Sequence, residues 1–103
     1  MKIVGVTACA AGIAHTYIAK EKLVNAAKKA GHEIHMETQG TIGVRDELLE
    51  DDIKNADVVI IAADIKINGM DRFEGKEKIE VSTDTVIKSP NNFIKKIESI
   101  VNK

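Results

Sequence analysis

This sequence lacks a second cysteine, a long apolar run and an excess of charge of one sign. With one cysteine among 103 residues, no internal disulfide can form. The longest apolar run, from Val58 to Ala63, is far shorter than the roughly 20 residues of a membrane-spanning helix. The formal net charge is −1, and acidic and basic residues are interspersed. Charge therefore gives no argument for binding to nucleic acid or to an anionic membrane surface.

The N-terminus also lacks the charged region and long apolar stretch of a secretory signal. We therefore expect a cytoplasmic protein that reaches a membrane only through a partner and does not insert directly. The length is that of one domain, and we expect residues 1–103 to form a single unit.

Apolar runs of strand length alternate with helical patterns, which is typical of βαβ units. The predicted fold is α/β: a three-layer, doubly wound, four-stranded parallel sheet of order 2-1-3-4, with helices on both faces. Gly31 is predicted to end the first helix, and Pro90 to open the last one. The predicted strands are 2–7, 32–38, 57–63 and 78–82, and the helices are 15–30, a short one within 46–55, a single turn near 70–73, and a closing helix.

The segment from Val6 to Tyr17 holds the only cysteine, Cys9, between a strand and a predicted helix start. Free backbone N–H groups and the partial positive charge of a helix N-terminus stabilise a thiolate, and they equally bind phosphate oxygens. We therefore predict phosphoryl chemistry on Cys9. The residues predicted to bind the phosphate follow directly in the chain: Ala10, Ala11, Gly12, Ile13, Ala14, His15 and Thr16.

Three of these residues have individual predicted roles. Gly12 is suited to a positive φ angle, which would turn successive N–H groups toward one point. His15 is placed to donate to a phosphoryl oxygen. The hydroxyl of Thr16 is placed either to cap the helix or to contact the anion.

Other interpretations of this loop stay open. Cys9 is also explained as a small buried hydrophobe at a strand end. A cysteine phosphatase would need an arginine six residues after the cysteine, but His15 stands there and no arginine precedes Arg45. Two functional alternatives remain: a low-activity phosphatase, and a regulatory phosphorelay module that senses an anion without passing it on.

The run from Val6 to Tyr17 closely resembles the active-site loop of the fructose-family enzyme IIB components of the bacterial phosphoenolpyruvate-dependent sugar phosphotransferase system. The resemblance continues through residues 37–40 with Gly43, residues 56–64, and residues 71–73 with Gly75 and Lys76. It thus spans residues 3 to about 80. The family usually has Pro-Thr after the cysteine, whereas this chain has Ala10-Ala11, which removes a hydroxyl that could bond the phosphoryl group.

The resemblance implies a phosphotransferase with a four-stranded parallel sheet and flanking helices. Cys9 would take a phosphoryl group from a phosphohistidine on enzyme IIA, forming S-phosphocysteine. It would then pass the group to fructose or a related sugar held by the membrane protein enzyme IIC. No cofactor and no metal are expected in this scheme.

Outside the Cys9 loop, the predicted strand order brings Cys9, the residue 39–43 loop and Asp64 to one edge of the sheet, where doubly wound folds bind ligands. His32 and His35 should project to opposite faces, which argues against a metal pair. Arg72 is interpreted as part of a solvated ion pair near Asp71 and Glu74. The acidic residues Glu47, Glu50, Asp51 and Asp52 suit the first turn of a helix better than a cation site.

Overall fold

The computed structural model describes residues 1–9, 13–40 and 43–101, with residues 13–15 described for their backbone only. The predicted phosphate-binding residues Ala10, Ala11 and Gly12, and the side chain of His15, therefore lie outside what is described. The elements in chain order are β1 (Lys2–Ala8), α1 (Ile13–Lys29), β2 (Glu33–Gly40), β3 (Gly43–Arg45), α2 (Glu50–Asn55), β4 (Val58–Ala63), a 3₁₀ helix (Met70–Phe73), β5 (Lys78–Val81), α3 (Thr83–Lys88) and α4 (Pro90–Val101).

The sheet has five strands in the order β3-β2-β1-β4-β5 and is mixed. The prediction of a four-stranded, wholly parallel sheet of order 2-1-3-4 is therefore wrong. The four predicted strands are present and parallel to one another, as β2, β1, β4 and β5. The added strand, β3, runs antiparallel to β2. It has three residues, all exposed, so it carries no alternation of apolar and polar residues that could have revealed it.

Two apolar cores lie on the two faces of the sheet. Strands β1 and β4 contribute to both, because their side chains alternate between the faces. One core includes residues of α1, α3 and α4, and the other includes Ile53 of α2 and Phe73 of the 3₁₀ helix. Helices thus cover both faces, as predicted.

Helix α1 packs closely on the sheet through small residues. Ala19, Ala26 and Ala27 are buried beside Leu23, and they allow the helix backbone to approach the strands. Gly31 has a φ of +87°, so the left-handed conformation predicted for the end of this helix is confirmed. On the sheet itself, a Cβ on Gly5 would lie 2.2 Å from the carbonyl oxygen of Ile60, so this position of β1 accepts only glycine.

Two helices follow β5, where the sequence predicted one. The side chain of Ser82 accepts a hydrogen bond from the Thr85 N–H at 3.4 Å and so caps α3, which was not predicted. Pro90 opens α4 as predicted, and α4 buries Phe93, Ile94 and Ile97. Within the described part of the chain, no helix is long and apolar enough to cross a membrane.

Candidate functional site

Cys9 lies at the carboxyl end of β1, the central strand of the sheet. In the sheet register, Ala8 pairs with Gln39 of β2 on one side and with Ala63 of β4 on the other. The Asp64 N–H then donates to the Ala8 carbonyl oxygen at 2.9 Å. The predicted convergence of the segments after β1, β2 and β4 is therefore confirmed, at the point where strand order reverses.

The Cys9 side chain is buried, with 4% of its surface exposed. Burial alone agrees with the interpretation of Cys9 as a small hydrophobe. However, Cys9 is not among the described residues that form either apolar core. Its position at the end of the central strand agrees equally with the chemical interpretation.

Thr16 is a second predicted site residue, and it belongs to α1, the helix that follows Cys9 in the chain. It lies at the end of the first turn of α1 and is 3% exposed, and its hydroxyl has no hydrogen-bond partner among the described residues. The buried hydroxyl of Thr7 likewise has no hydrogen-bond partner among the described residues. Thr7 pairs with Ala62 in the sheet register, and both lie on the face that α1 covers. Buried hydroxyls are nearly always paired in native proteins, so an unpaired one points to a ligand or to a state not shown.

A groove runs beside Thr16, between α1 and the β2–β3 hairpin. The Lys20 ammonium of α1 donates to the Asp46 carboxylate just after β3, and this ion pair links the helix to the hairpin. The hydrogen bond from Lys20 lowers the pKa of Asp46. The groove is lined by Thr16, Tyr17, Thr38, Gln39, Gly40, Gly43 and Arg45.

A buried ion pair between Glu37 and Arg72 lies at the same edge of the sheet. The Glu37 carboxylate of β2 accepts from Arg72 Nη1 at 2.8 Å and from Nη2 at 3.1 Å. It also accepts from Gln39 Nε2 at 2.7 Å and from the Leu48 N–H at 3.0 Å. Each carboxylate oxygen thus receives two hydrogen bonds, which satisfies a side chain that is only 1% exposed. The Arg72 guanidinium also lies over the Phe73 ring, 4.9 Å from its centroid.

Opposing effects set the pKa of Glu37. Burial is the largest single influence and raises this pKa, but the hydrogen bonds from Arg72, Gln39 and Leu48 together lower it below its usual value. In return, the hydrogen bond to Glu37 raises the pKa of Arg72. Both groups are therefore charged at neutral pH.

The ion-pair partner predicted for Arg72 is therefore wrong. The sequence suggested a solvated pair near Asp71 and Glu74, whereas the guanidinium binds Glu37, 35 residues away. The role of Glu37 was missed. A carboxylate on an inner strand needs a cation, and this chain has only two arginines, Arg45 and Arg72. The need of a buried Glu37 for a cation is thus a signal in the sequence, but with 15 Lys and Arg residues in the chain it does not identify Arg72.

The other candidates take structural positions. The carboxylate of Asp64 accepts from the Thr83 N–H at 3.0 Å and from its hydroxyl at 2.6 Å, at the start of α3.

His32 binds Glu98 and His35 binds Asp52, on opposite faces of the sheet as predicted. The acidic residues Glu50, Asp51 and Asp52 form the first turn of α2, as expected, whereas Glu47 lies before this helix, so the prediction is wrong for that residue. Over residues 1–9, 13–40 and 43–101, no group of three or more His, Cys, Asp or Glu is placed to hold a metal ion.

Comparison with known proteins gives consistent matches. A family model described as "PTS system, Lactose/Cellobiose specific IIB subunit" matches residues 4–96. The PTS system fructose-like EIIB component 2 of Escherichia coli (strain K12) is 45% identical over 98 residues, which cover 95% of this chain and 92% of that protein. The fructose-specific EIIB'BC component of Vibrio cholerae is 47% identical over 87 residues, which cover 84% of this chain and 15% of that longer protein.

The fold is also shared with solved structures. A crystal structure of a domain from the fructose-specific IIABC component of Borrelia burgdorferi superposes with a TM-score of 0.85 and is 54% identical. The match covers 90% of this chain and 88% of that one. Sequence and structure comparisons thus agree over nearly the whole length.

Proposed function

Because this chain belongs to the fructose-type enzyme IIB components of the sugar phosphotransferase system, we propose that it carries phosphoryl groups on Cys9. The donor is a phosphohistidine of enzyme IIA, and the acceptor is fructose or a related sugar held by enzyme IIC. The names of the Vibrio cholerae relative and of the Bacillus subtilis EIIABC component place B domains in one chain with such partners. On this proposal, residues 1–103 act as one enzyme IIB domain at the cytoplasmic side of the membrane that holds enzyme IIC.

Two in-line displacements make up the reaction. In the first, the Cys9 sulfur anion attacks phosphorus, the P–N bond to the donor histidine breaks, and an S–P bond forms. In the second, a sugar hydroxyl oxygen attacks the same phosphorus, the S–P bond breaks, the thiolate reforms, and the hydroxyl proton is released. Positioning and hydrogen-bond donors supply the catalysis in such a scheme.

The observation that carries the proposal is the unpaired hydroxyl of Thr16. It is buried at the end of the first turn of α1, the helix that follows the Cys9 loop, and it lines a groove at the carboxyl edge of the sheet. A phosphoryl group on Cys9 would give this hydroxyl an acceptor. That contact would stabilise the phosphorylated state over the free thiol, and it would supply a hydroxyl in place of the one missing at Ala10-Ala11.

The backbone N–H groups of residues 10–14 complete the proposed cradle, with the His15 side chain as a further donor. Both belong to the loop and helix start where N–H groups lack intrahelical partners. These assignments rest on the chain order and on the family resemblance.

Incubation of the protein with phosphorylated enzyme IIA, followed by peptide mass spectrometry, tests the proposal. We expect one phosphoryl group on the peptide that contains Cys9, and none on a Cys9→Ser variant. Membranes that contain enzyme IIC and sugar should then discharge the labelled protein. Label that forms but is never transferred would favour the regulatory module, and rapid release of inorganic phosphate would favour a phosphatase.

A further inference from the structure

The segment of residues 64–69 starts beside the end of the strand that leads to Cys9. It begins directly after β4, where the Asp64 N–H donates to the carbonyl oxygen of Ala8, the residue before Cys9. Its middle is anchored by Ile67, which is 4% exposed and packs in the core on the α2 side. Ile65, by contrast, is 41% exposed. The segment thus presents an apolar side chain to solvent, one residue after the backbone bond that joins Asp64 to Ala8.

Three side chains hold the far end of this segment, and we refer to Glu37, Gln39 and Arg72 as the clamp. The Gln39 side-chain amide bonds the Asn68 backbone twice: Asn68 N–H donates to Oε1 at 2.8 Å, and Nε2 donates to the Asn68 carbonyl at 2.9 Å. Arg72 Nε donates to the Gly69 carbonyl at 2.8 Å, and its Nη2 donates to that of Asn68 at 3.3 Å. Backbone atoms of the segment are therefore fixed by directed bonds.

Stability alone does not account for the clamp. A buried ion pair is expensive to desolvate, and well-packed apolar residues of similar volume often stabilise a fold as well or better. Bidentate hydrogen bonds are directional, so they hold the bonded groups in one relative position, which apolar packing alone does not do. Here that geometry is imposed on backbone that starts beside Cys9.

We propose that the clamp is a positioning device for phosphoryl transfer: it sets the 64–69 segment as a rigid rim against which the phosphohistidine protein docks beside Cys9. This inference rests on the proposed function. Glu37, Gln39 and Arg72 are positioning residues that act through the segment, with no contact to the phosphoryl group. A protein donor must match the rim, whereas a small reagent that reacts with the Cys9 sulfur need not.

The test compares these two kinds of reaction in one variant. Arg72→Lys keeps a cation beside Glu37 but has only one nitrogen, which cannot bond Glu37, Gly69 and Asn68 in the fork geometry of a guanidinium. The matched control is His32→Gln, which loses the 2.6 Å contact with Glu98 at the opposite end of β2. Circular dichroism at the assay temperature gives the folded fraction of each protein.

In Arg72→Lys, we expect the second-order rate constant for transfer from phosphorylated enzyme IIA to fall about tenfold, since small misplacements of reacting groups have effects of this size or larger. The rate of Cys9 alkylation by iodoacetamide should match that of the control. Gln39→Met removes both bonds to the Asn68 backbone without adding a charge beside Glu37. It should show the same difference between transfer and alkylation, and it serves if Arg72→Lys does not fold.

Equal transfer rates in the folded variants and the control would overturn the inference. A parallel fall in alkylation and transfer would also overturn it, because the clamp would then act on Cys9 itself or on general stability. If the wild-type protein gains no label on Cys9, the proposed function fails first. Label on the wild-type protein together with unchanged transfer in the variants refutes only the clamp.

Discussion

The two terminal nitrogens of Arg72 bind the two carboxylate oxygens of Glu37, at 2.8 and 3.1 Å. The pair joins an inner strand of the sheet to the 3₁₀ helix between β4 and β5. Glu37 is 1% exposed whereas Arg72 retains 24%, so the carboxylate depends on Arg72 for its opposite charge more than Arg72 depends on the carboxylate. The consequences for stability can be measured directly.

Replacement of Glu37 by glutamine should destabilise the protein by about 3 kcal/mol at pH 7, because it leaves the Arg72 cation without its buried partner. The pKa of Glu37 is lower in the folded protein than the ordinary value of 4.5. Its ionisation therefore stabilises the fold above that value, and this contribution is lost as pH falls through the folded pKa. Urea unfolding of both proteins from pH 7 down to pH 3 measures the difference.

We expect the difference between the wild type and Glu37→Gln to shrink once the pH falls below the ordinary glutamate value. A difference that stays constant over the whole range would show that the pKa of Glu37 is the same in the folded and the unfolded protein. Such a result would contradict the hydrogen-bonding scheme described for the pair.

Gly69→Ala should be more harmful than Gly31→Ala, although both glycines have a positive φ, of +80° and +87°. A Cβ at Gly69 would lie 2.5 Å from Arg72 Nε, whereas at Gly31 nothing lies within 4 Å. The strain common to both positions is about 1 kcal/mol, so the excess at Gly69 reports displacement of the guanidinium. Equal loss of unfolding free energy in the two variants would mean that Arg72 moves aside without cost.

Thr16→Val should separate stability from phosphoryl binding. Removal of a buried hydroxyl that has no described partner should leave the unfolding free energy unchanged or raise it by about 1 kcal/mol. The phosphocysteine should hydrolyse about tenfold faster, which corresponds to roughly 1.4 kcal/mol of lost stabilisation. Intact-mass measurements of the phosphorylated protein over time give this lifetime.

The stability control for this change is Thr83→Val, whose hydroxyl does have a partner, at 2.6 Å in Asp64. It should lose about 1 kcal/mol of unfolding free energy. A phosphocysteine that lives as long in Thr16→Val as in the wild type would remove Thr16 from the phosphate site.

The parts of the fold that sequence predicted well are those with strong local patterns. Strand β4 is a continuous apolar run, β1 is mostly apolar, and Gly31 and Pro90 mark helix ends by their backbone preferences. Strand β3 has neither feature: its three exposed residues are strand only because the hairpin places them against β2. Helix α3 was likewise missed, because Thr83 and Val86 are its only buried residues and Val86 with Ile87 are its only apolar ones, which is too little to indicate a helical face.

The residues of the candidate site show the same difference between local and long-range signals. Cys9 could be predicted as a site residue because one cysteine between a strand and a helix start is a local signal. The Glu37–Arg72 pair depends on residues 35 apart in the chain, and only the tertiary fold brings them together. Thr16 was predicted as a phosphate-site residue from its place in the loop, but the sequence could not show that its hydroxyl is buried and unpaired.

Transfer of a phosphoryl group from phosphorylated enzyme IIA to this protein tests the central claim most directly. Peptide mass spectrometry after brief incubation should place the group on the sulfur of Cys9 in the wild type and detect none in Cys9→Ser. A wild-type protein that remains unlabelled, or a Cys9→Ser variant that is labelled to the same extent, would contradict the account.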